Sequence, residues 1–255
     1  MRTLAVVVEL GRRSVRQTFR RPQLIAPLLI IPTLLLAVQS AGAGRAVDLP
    51  GFPPVESFFD FLLAGAMIQS ALLAGNSGGI AMAIDIEMGF TDRLLAAPIP
   101  RFAIVAGRLA GTAAMGVVTA IWFLVLGLVF GVRIEEGPAG ALLMIVLVAL
   151  AALAFGTLGA ALALRSGSAS VVHGTFPLVF VILSTAFFPA DLLLEPAQTI
   201  ARFNPLSFIV TAVRDPAISV FSADELLAGL AGIVLVGAVG LLLCSMALRR
   251  RLRMG

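Results

Sequence analysis

Lysine is absent from this sequence of 255 residues, because all 18 of its basic residues are arginine. A chain without lysine has no P-loop lysine, no Schiff-base lysine and no kinase lysine. Taken alone, it therefore cannot hydrolyse ATP by the Walker mechanism. The same arginine-rich, lysine-free composition is typical of GC-rich coding sequence and indicates a bacterial source.

Cysteine and histidine occur once each, as Cys244 and His173. One cysteine allows no internal disulfide, and one histidine allows no multi-histidine metal site. Charged residues are also scarce, at 13% against roughly 25% in soluble domains, whereas hydrophobic residues reach 60%. A soluble domain of this size could not bury so much apolar surface, and disordered chains are poor in apolar residues. Both classes are excluded.

Stretches without charged residues show where the chain can cross a membrane, since a spanning helix needs about 20 apolar residues. Six such runs predict transmembrane helices at about 22–44, 61–84, 109–132, 138–164, 166–190 and 226–248. They are too long and too uniformly apolar for barrel strands, which alternate over about ten residues. We predict an all-α integral membrane protein whose transmembrane domain covers 22–248 and lies in the lipid bilayer.

The arginines set the expected orientation, because cytoplasmic loops carry an excess of basic residues. With six spans both termini share one side, and fourteen of the 18 arginines lie there with only four of the 14 acidic residues. Both termini, including the basic tail 249–255, should be cytoplasmic. Arg12, Arg16 and Arg20 recur on one helical face, so residues 1–21 predict an amphipathic helix on the cytoplasmic leaflet. The arginines are scattered over short loops, so we expect no nucleic-acid partner.

Three polar residues within the spans are candidates for a substrate pathway: Gln69, Asn76 and His173. Polar side chains in spans commonly make interhelical hydrogen bonds worth about 0.6 kcal/mol each. Proton- or sodium-driven carriers usually place an acidic residue at mid-membrane, and the six runs contain none. This disfavours a gradient-driven secondary transporter, which stays an alternative.

A second alternative is enzymatic. A G-x-S-G string at 75–78 places Ser77 in the second span, and His173 could activate its hydroxyl. Such a pair within six helices resembles the rhomboid intramembrane proteases, although their Trp-Arg loop signature is missing. Small residues also permit close helix packing, which is the other interpretation of this string and of Gly107-x-x-x-Gly111.

The loop from Asp85 to Arg101 joins the second and third spans. Three carboxylates load its first half, which suits the N-terminus of a helix, and two prolines end it. We expect the membrane helix to bend at Gly89 and to continue as a short helix on the membrane surface. Its Leu94 and Leu95 would be exposed unless the groove of a partner covered them.

Two motifs in this sequence resemble those of ABC-2 type permeases. The loop matches their E-x-G…L-L…P signature at Glu87, Gly89, Arg93, Leu94, Leu95 and Pro98. The stretch before the last span resembles their F-P…P…N-P-L-[ST]-[YF]…R pattern at Phe187, Phe188, Pro189, Pro196, Asn204, Pro205, Leu206, Ser207, Phe208 and Arg214. One departure is Phe90, where the family often has threonine. The resemblance covers essentially the whole chain and is closest to the daunorubicin-resistance-type drug exporters.

The resemblance implies a transport subunit without a nucleotide-binding site of its own. The partners would be an ABC ATP-binding subunit and a second permease protomer, in a homodimer or a heterodimer. ATP and magnesium would belong to the ATPase chain, and this chain would hold no cofactor or metal. The loop from Glu87 to Pro98 would be the coupling helix, and short re-entrant helices would lie between spans five and six. The resemblance further implies efflux of an amphipathic drug, antibiotic or lipid across a bacterial plasma membrane.

Overall fold

The computed structural model describes residues 2–20, 22–90, 93–94, 101–174, 184–219 and 221–254. In this part of the chain there are nine α-helices and no strand. The helices are α1 Arg2–Phe19, α2 Pro22–Ala43, α3 Phe58–Glu87, α4 Arg101–Val129, α5 Gly137–Ser166, α6 Ala169–Gly174, α7 Ala197–Phe203, α8 Pro205–Ile218 and α9 Ala223–Met254. Short 3-10 helices cover Gly44–Asp48 and Ala190–Leu192.

Among the described residues, five helices are long and apolar enough to cross a membrane. The spanning segments are Pro22–Asp48, Phe58–Glu87, Ala103–Val129, Gly137–Ser166 and Ala223–Arg250. They coincide with five of the six charge-free runs, but most extend past them at one end or both. Charged residues are tolerated at these ends because their side chains can reach the polar interface from the last turn of a helix.

The middle of the predicted fifth span, 166–190, falls on residues 175–183, which lie outside the described part of the chain. Its start differs from the prediction, because α5 continues to Ser166 and Gly167 ends it with a φ of 66°. This left-handed conformation suits glycine and is a common helix terminator. The helix α6 then begins at Ala169.

Helix α3 is the centre of the bundle and is buried along most of its length. A Cβ atom on Gly79 would lie 2.6 Å from the carbonyl oxygen of Gly159, and one on Gly75 would lie 2.6 Å from Phe155. The first glycine of the G-x-S-G string and the glycine that follows the string are therefore positions at which α3 and α5 approach backbone to backbone. Such contacts drive helix association in membranes, where water supplies no hydrophobic force.

The two ends of the bundle are distinct. At one end, a cluster of buried residues joins the C-terminal part of α3 to the C-terminal parts of α5 and α9, for example Ile86, Leu164 and Ala247. Helix α1 at the N-terminus lies at the same end of the bundle. We therefore call this end of the bundle the terminal end. The opposite end, or far end, contains the first turn of α3 together with α7 and α8.

Helix α1 packs along the first half of α4. A Cβ atom on Gly107 would collide with Leu10, and one on Gly111 would collide with Ser14. The Gly107-x-x-x-Gly111 pair thus packs the amphipathic helix, and the arginines Arg12, Arg16 and Arg20 stay exposed. The apolar Val8 and Phe19 are also exposed, at 58% and 47%. This leaves one face of α1 available for a membrane surface.

Helices α7 and α8 form a short pair between the described segment 184–192 and α9. At about 1.5 Å per residue, the 14 residues of α8 reach about 21 Å, less than the roughly 30 Å of a hydrocarbon core. Helix α8 packs against α9, α5 and α3. Its backbone is thereby enclosed by protein, which is the condition for a partial span at membrane depth.

Candidate functional site

The chain turns sharply where α3 ends. Met88 caps the helix, and Gly89 has a φ of 68°, a left-handed conformation that favours glycine. Helical structure resumes at Phe90 and includes Arg93 and Leu94, and the Arg93 amide donates to the Gly89 carbonyl at 3.4 Å. The bend predicted at Gly89 is therefore present.

The predicted coupling residues lie around this bend. Glu87 and Arg93 are exposed and Leu94 is half-buried. Leu95 and Pro98 lie outside the described residues. The Glu87 carboxylate also accepts a hydrogen bond from the Ala169 amide at 2.8 Å, at the N-terminus of α6. A carboxylate is favourable there because it pairs with unsatisfied amides.

A buried ion pair lies beneath the bend. The carboxylate of Asp85 is 3.0 Å from Nη2 of Arg108, and the two side chains are 9% and 10% exposed. Nη1 of Arg13 approaches the same carboxylate at 3.9 Å, and Nη1 of Arg108 donates to Oε1 of Gln17 at 3.1 Å. We name Asp85, Arg108, Arg13 and Gln17 the Asp85 network. It joins α1, α3 and α4 at the terminal end.

Arg13 connects this network to the segment beyond the bend. Its guanidinium carbon lies 3.7 Å from the centre of the Phe90 ring, in the geometry of a cation–π contact. Leu10, Leu94 and Ile104 line the small cavity beside it. Phe90 stands at the position where the family often has threonine. Its ring makes a contact with Arg13 that a threonine side chain could not make. Phe90 is thereby in direct contact with α1.

The sequence analysis missed this network, since it interpreted Asp85 only as a charge near a helix end. A signal was available, because Asp85 and Arg108 are the charges that border two consecutive charge-free runs. Consecutive spans usually lie side by side, so opposite charges at their adjoining ends are candidates for pairing. The contribution of Arg13 and Gln17 required the position of α1, which the sequence does not give.

A second polar cluster lies at the far end, around Arg214 of α8. This side chain is 5% exposed, and its Nε donates to the Phe61 carbonyl at 3.0 Å. Its Nη2 donates to the Thr185 carbonyl at 2.9 Å, and its guanidinium lies 3.7 Å above the Phe61 ring. Arginine stays charged in proteins, and here carbonyl dipoles and a π face stabilise that charge. Arg214 thereby clamps α8 to α3 and to the segment 184–189.

The other predicted residues of the outer segment lie close by. Asn204 caps α8, because its Oδ1 accepts from the Leu206 amide at 3.0 Å, and Pro205 takes the first helical position. Leu206 and Pro189 are buried. The Phe188 ring lies 5.8 Å from that of Phe58 in α3. These five residues and Arg214 thus belong to one region at the far end.

The polar residues predicted within the spans do not lie together. Gln69 is 2% exposed, and its Oε1 has no hydrogen-bond partner among the described residues. Asn76, two turns further along α3, is half-buried, whereas His173 is exposed at the end of α6. The three residues do not form a common site in the described structure.

The proposed serine–histidine pair is not assembled either. Ser77 lines a small cavity of about 20 Å³ with residues of α1, α2 and α4. His173 does not line this cavity, and no hydrogen bond joins the two side chains in the described part of the chain.

The spanning helices, the amphipathic α1 and the enclosed partial helix α8 define a multi-pass membrane protein. Its sequence matches the ABC-2 type transporter family over residues 6–217. The chain belongs to this family. Both motifs and both polar clusters fall within the match.

The chain is similar to the "Daunorubicin resistance ABC transporter permease protein DrrB1" of Streptomyces coeruleorubidus. The two are 28% identical over 197 residues, which are 75% of this chain and 64% of that relative. The chain thus spans just under two thirds of the length of the curated relative that it matches.

Proposed function

We propose that this chain is the permease subunit of an ABC exporter that moves an amphipathic substrate, a drug or a lipid, at the expense of ATP hydrolysed by a separate subunit. The observation that carries the proposal is the segment beyond Gly89. It projects from the central helix with Arg93 exposed, and its base is tied through Arg13 and Asp85 to α1 and α4. The relative's name, which refers to daunorubicin resistance, supports a role in drug resistance.

In this mechanism, the ATP-binding subunit receives the coupling helix in a groove. The contact surface comprises Glu87, Gly89, Arg93, Leu94, Leu95 and Pro98. When ATP closes the ATPase, the displaced segment moves Phe90 against Arg13, and the Asp85–Arg108 pair transmits the force to α1, α3 and α4. Coupling is then a free-energy link between the nucleotide state and the transmembrane conformation.

In the same mechanism, the far end of the bundle closes the substrate pathway on its outer side. Helix α8 packs against α3, α5 and α9, and Arg214 fixes it to the first turn of α3. A shift of α3 would therefore carry α8 with it and open the outer side. Gln69 and Asn76 lie on α3 between the two ends, where a passing substrate could meet them.

The assembly that follows is a dimer of permeases, homomeric or heteromeric, with one ATP-binding subunit for each. It lies in a bacterial plasma membrane with both termini in the cytoplasm, where the arginine-rich terminal end faces the ATPase. ATP and magnesium bind to the partner chain, and this chain holds no cofactor.

Affinity purification of the tagged chain from its native membranes in mild detergent tests the proposal. We expect a stoichiometric partner that carries a G-x-x-x-x-G-K-[ST] loop. Arg93→Glu should reduce the recovered partner about tenfold or more, because reversing an interface charge costs several kcal/mol. Arg133→Glu, the same change at an exposed arginine of the far end, should recover the partner as the parent does.

Recovery of the chain without any ATPase would overturn the proposal. Export that collapses with the proton gradient but survives ATP depletion would favour a secondary transporter instead. Labelling by a serine-reactive probe that Ser77→Ala abolishes would favour the hydrolase.

A further inference from the structure

A groove runs along the bundle surface at the terminal end, between α5 and α9. Its volume is about 320 Å³, within the range of small-molecule sites. The lining residues are Leu158, Ala161, Leu162, Arg165, Leu243, Met246, Ala247 and Arg250. Neither polar cluster described above contributes to it.

The groove exists because small residues lie where the two helices meet. Ala161 and Ala247 are 5% and 7% exposed and form its floor. The longer side chains of Leu243 and Met246 stand at its side and are exposed at 42% and 56%. The walls are therefore apolar and exposed, which suits a hydrocarbon chain better than a polar ligand.

The mouth of the groove carries charge of one sign. Arg165 lies one residue before the end of α5, Arg250 lies near the end of α9, and both are exposed. The described lining residues include no carboxylate. Two guanidinium groups on neighbouring helices can bind one phosphate through charge-assisted hydrogen bonds. A cationic amphipath would meet uncompensated repulsion at the same place.

We propose that this groove binds an anionic phospholipid, with an acyl chain along the apolar walls and the phosphate between Arg165 and Arg250. Basic pockets between spanning helices are suited to anionic head groups. The inference requires only that α5 and α9 cross the membrane. The proposed orientation adds that the lipid belongs to the cytoplasmic leaflet. Binding here would hold the ends of α5 and α9 together independently of ATP.

Native mass spectrometry of the full-length chain in detergent tests this site. The delipidated protein is titrated with phosphatidylglycerol and with phosphatidylcholine of identical acyl chains. We expect selective retention of phosphatidylglycerol. Arg165→Gln and Arg250→Gln should each weaken its binding about fivefold, which is the usual effect of one arginine near an anionic lipid.

Arg249→Gln is the matched control, since it removes the same charge from the adjacent residue, which does not line the groove. It should change phosphatidylglycerol binding less than twofold. Glycerol phosphate, which has the charge without the acyl chain, should not displace the bound lipid at equal concentration.

Three results would overturn the proposal. They are equal binding of the two lipids, equal losses in Arg249→Gln and Arg250→Gln, and displacement of the lipid by glycerol phosphate. Because neither the ATPase nor ATP is present, failure of this experiment leaves the proposed export function untouched. Each single variant is compared only after it elutes as the parent does in size-exclusion chromatography.

Discussion

At the scale of single residues, the most consequential feature is the buried carboxylate of Asp85. In a medium of low dielectric constant, a buried charge is tolerated only while its oppositely charged partner is present. Asp85 and Arg108 are about nine-tenths buried, so each offsets the desolvation of the other. Arg13 and Gln17 contribute further polar contacts that connect the pair to α1.

We predict that Asp85→Leu destabilises the purified chain by about 3–5 kcal/mol, because the Arg108 guanidinium then stays buried without its counter-charge. Arg108→Met should cost a similar amount. The double variant should be more stable than either single variant, since it removes both charges together. Thermal unfolding in detergent measures all four proteins. Additive losses in the double variant would show that the two charges do not interact.

Much of the fold was predictable from the residues alone, because a long run without charged residues is enough to identify a membrane-spanning helix. Uninterrupted apolar runs locate α2, α3, α4, α5 and α9 without reference to any tertiary contact. The Asp85 network was not predictable, since it needs the position of α1 against α4. That position depends on Gly107 and Gly111, and a sequence does not show which helix two small residues will contact.

At the scale of elements, the bend between α3 and the proposed coupling helix depends on Gly89. Apart from its two chain neighbours, no described residue lies within 4 Å of the position of a Cβ atom on Gly89. Its positive φ is therefore what favours glycine here. Left-handed backbone costs an ordinary residue roughly 1–2 kcal/mol, whereas asparagine tolerates it better.

We predict that Gly89→Val redirects the coupling helix and lowers recovery of the ATP-binding subunit, whereas Gly89→Asn keeps most of it. Both variants should insert into the membrane as the parent does, because the bend lies outside the spanning part of α3. Co-purification from membranes with equal amounts of each variant is the measurement. Equal recovery with valine and asparagine would contradict a conformational role for Gly89.

The start of α8 is a second element on which function should depend. The Asn204 side chain caps this helix, and loss of an N-cap typically costs about 1 kcal/mol. We predict that Asn204→Ala lowers export while the ATPase still co-purifies, because α8 lies at the end of the bundle opposite the coupling helix.

Asn204→Ser is the control for that variant, since serine caps helices about as well as asparagine. It should retain export measured in cells that express equal amounts of protein. If Asn204→Ala instead loses the ATPase, the residue is needed for assembly of the whole complex and not for the outer closure.

At the scale of the whole molecule, the arginine distribution and the helix packing favour the same orientation in the membrane. The basic termini and the Asp85 network share the terminal end, whereas Arg133 and most carboxylates lie towards the far end. An ATPase can reach the coupling helix only if the terminal end faces the cytoplasm. Determining on which side of the membrane each end lies therefore tests the whole architecture in one measurement.

The single cysteine makes this measurement simple. Cys244 is 4% exposed, so Cys244→Ala should give a functional chain without cysteine. In that background, Arg133→Cys places a thiol at the far end and Arg12→Cys places one on α1, both at exposed positions. We predict that a membrane-impermeant maleimide labels the thiol at 133 in intact cells and the thiol at 12 only after permeabilisation. The opposite pattern would put the coupling helix outside the cell, where no ATP-binding subunit could drive it.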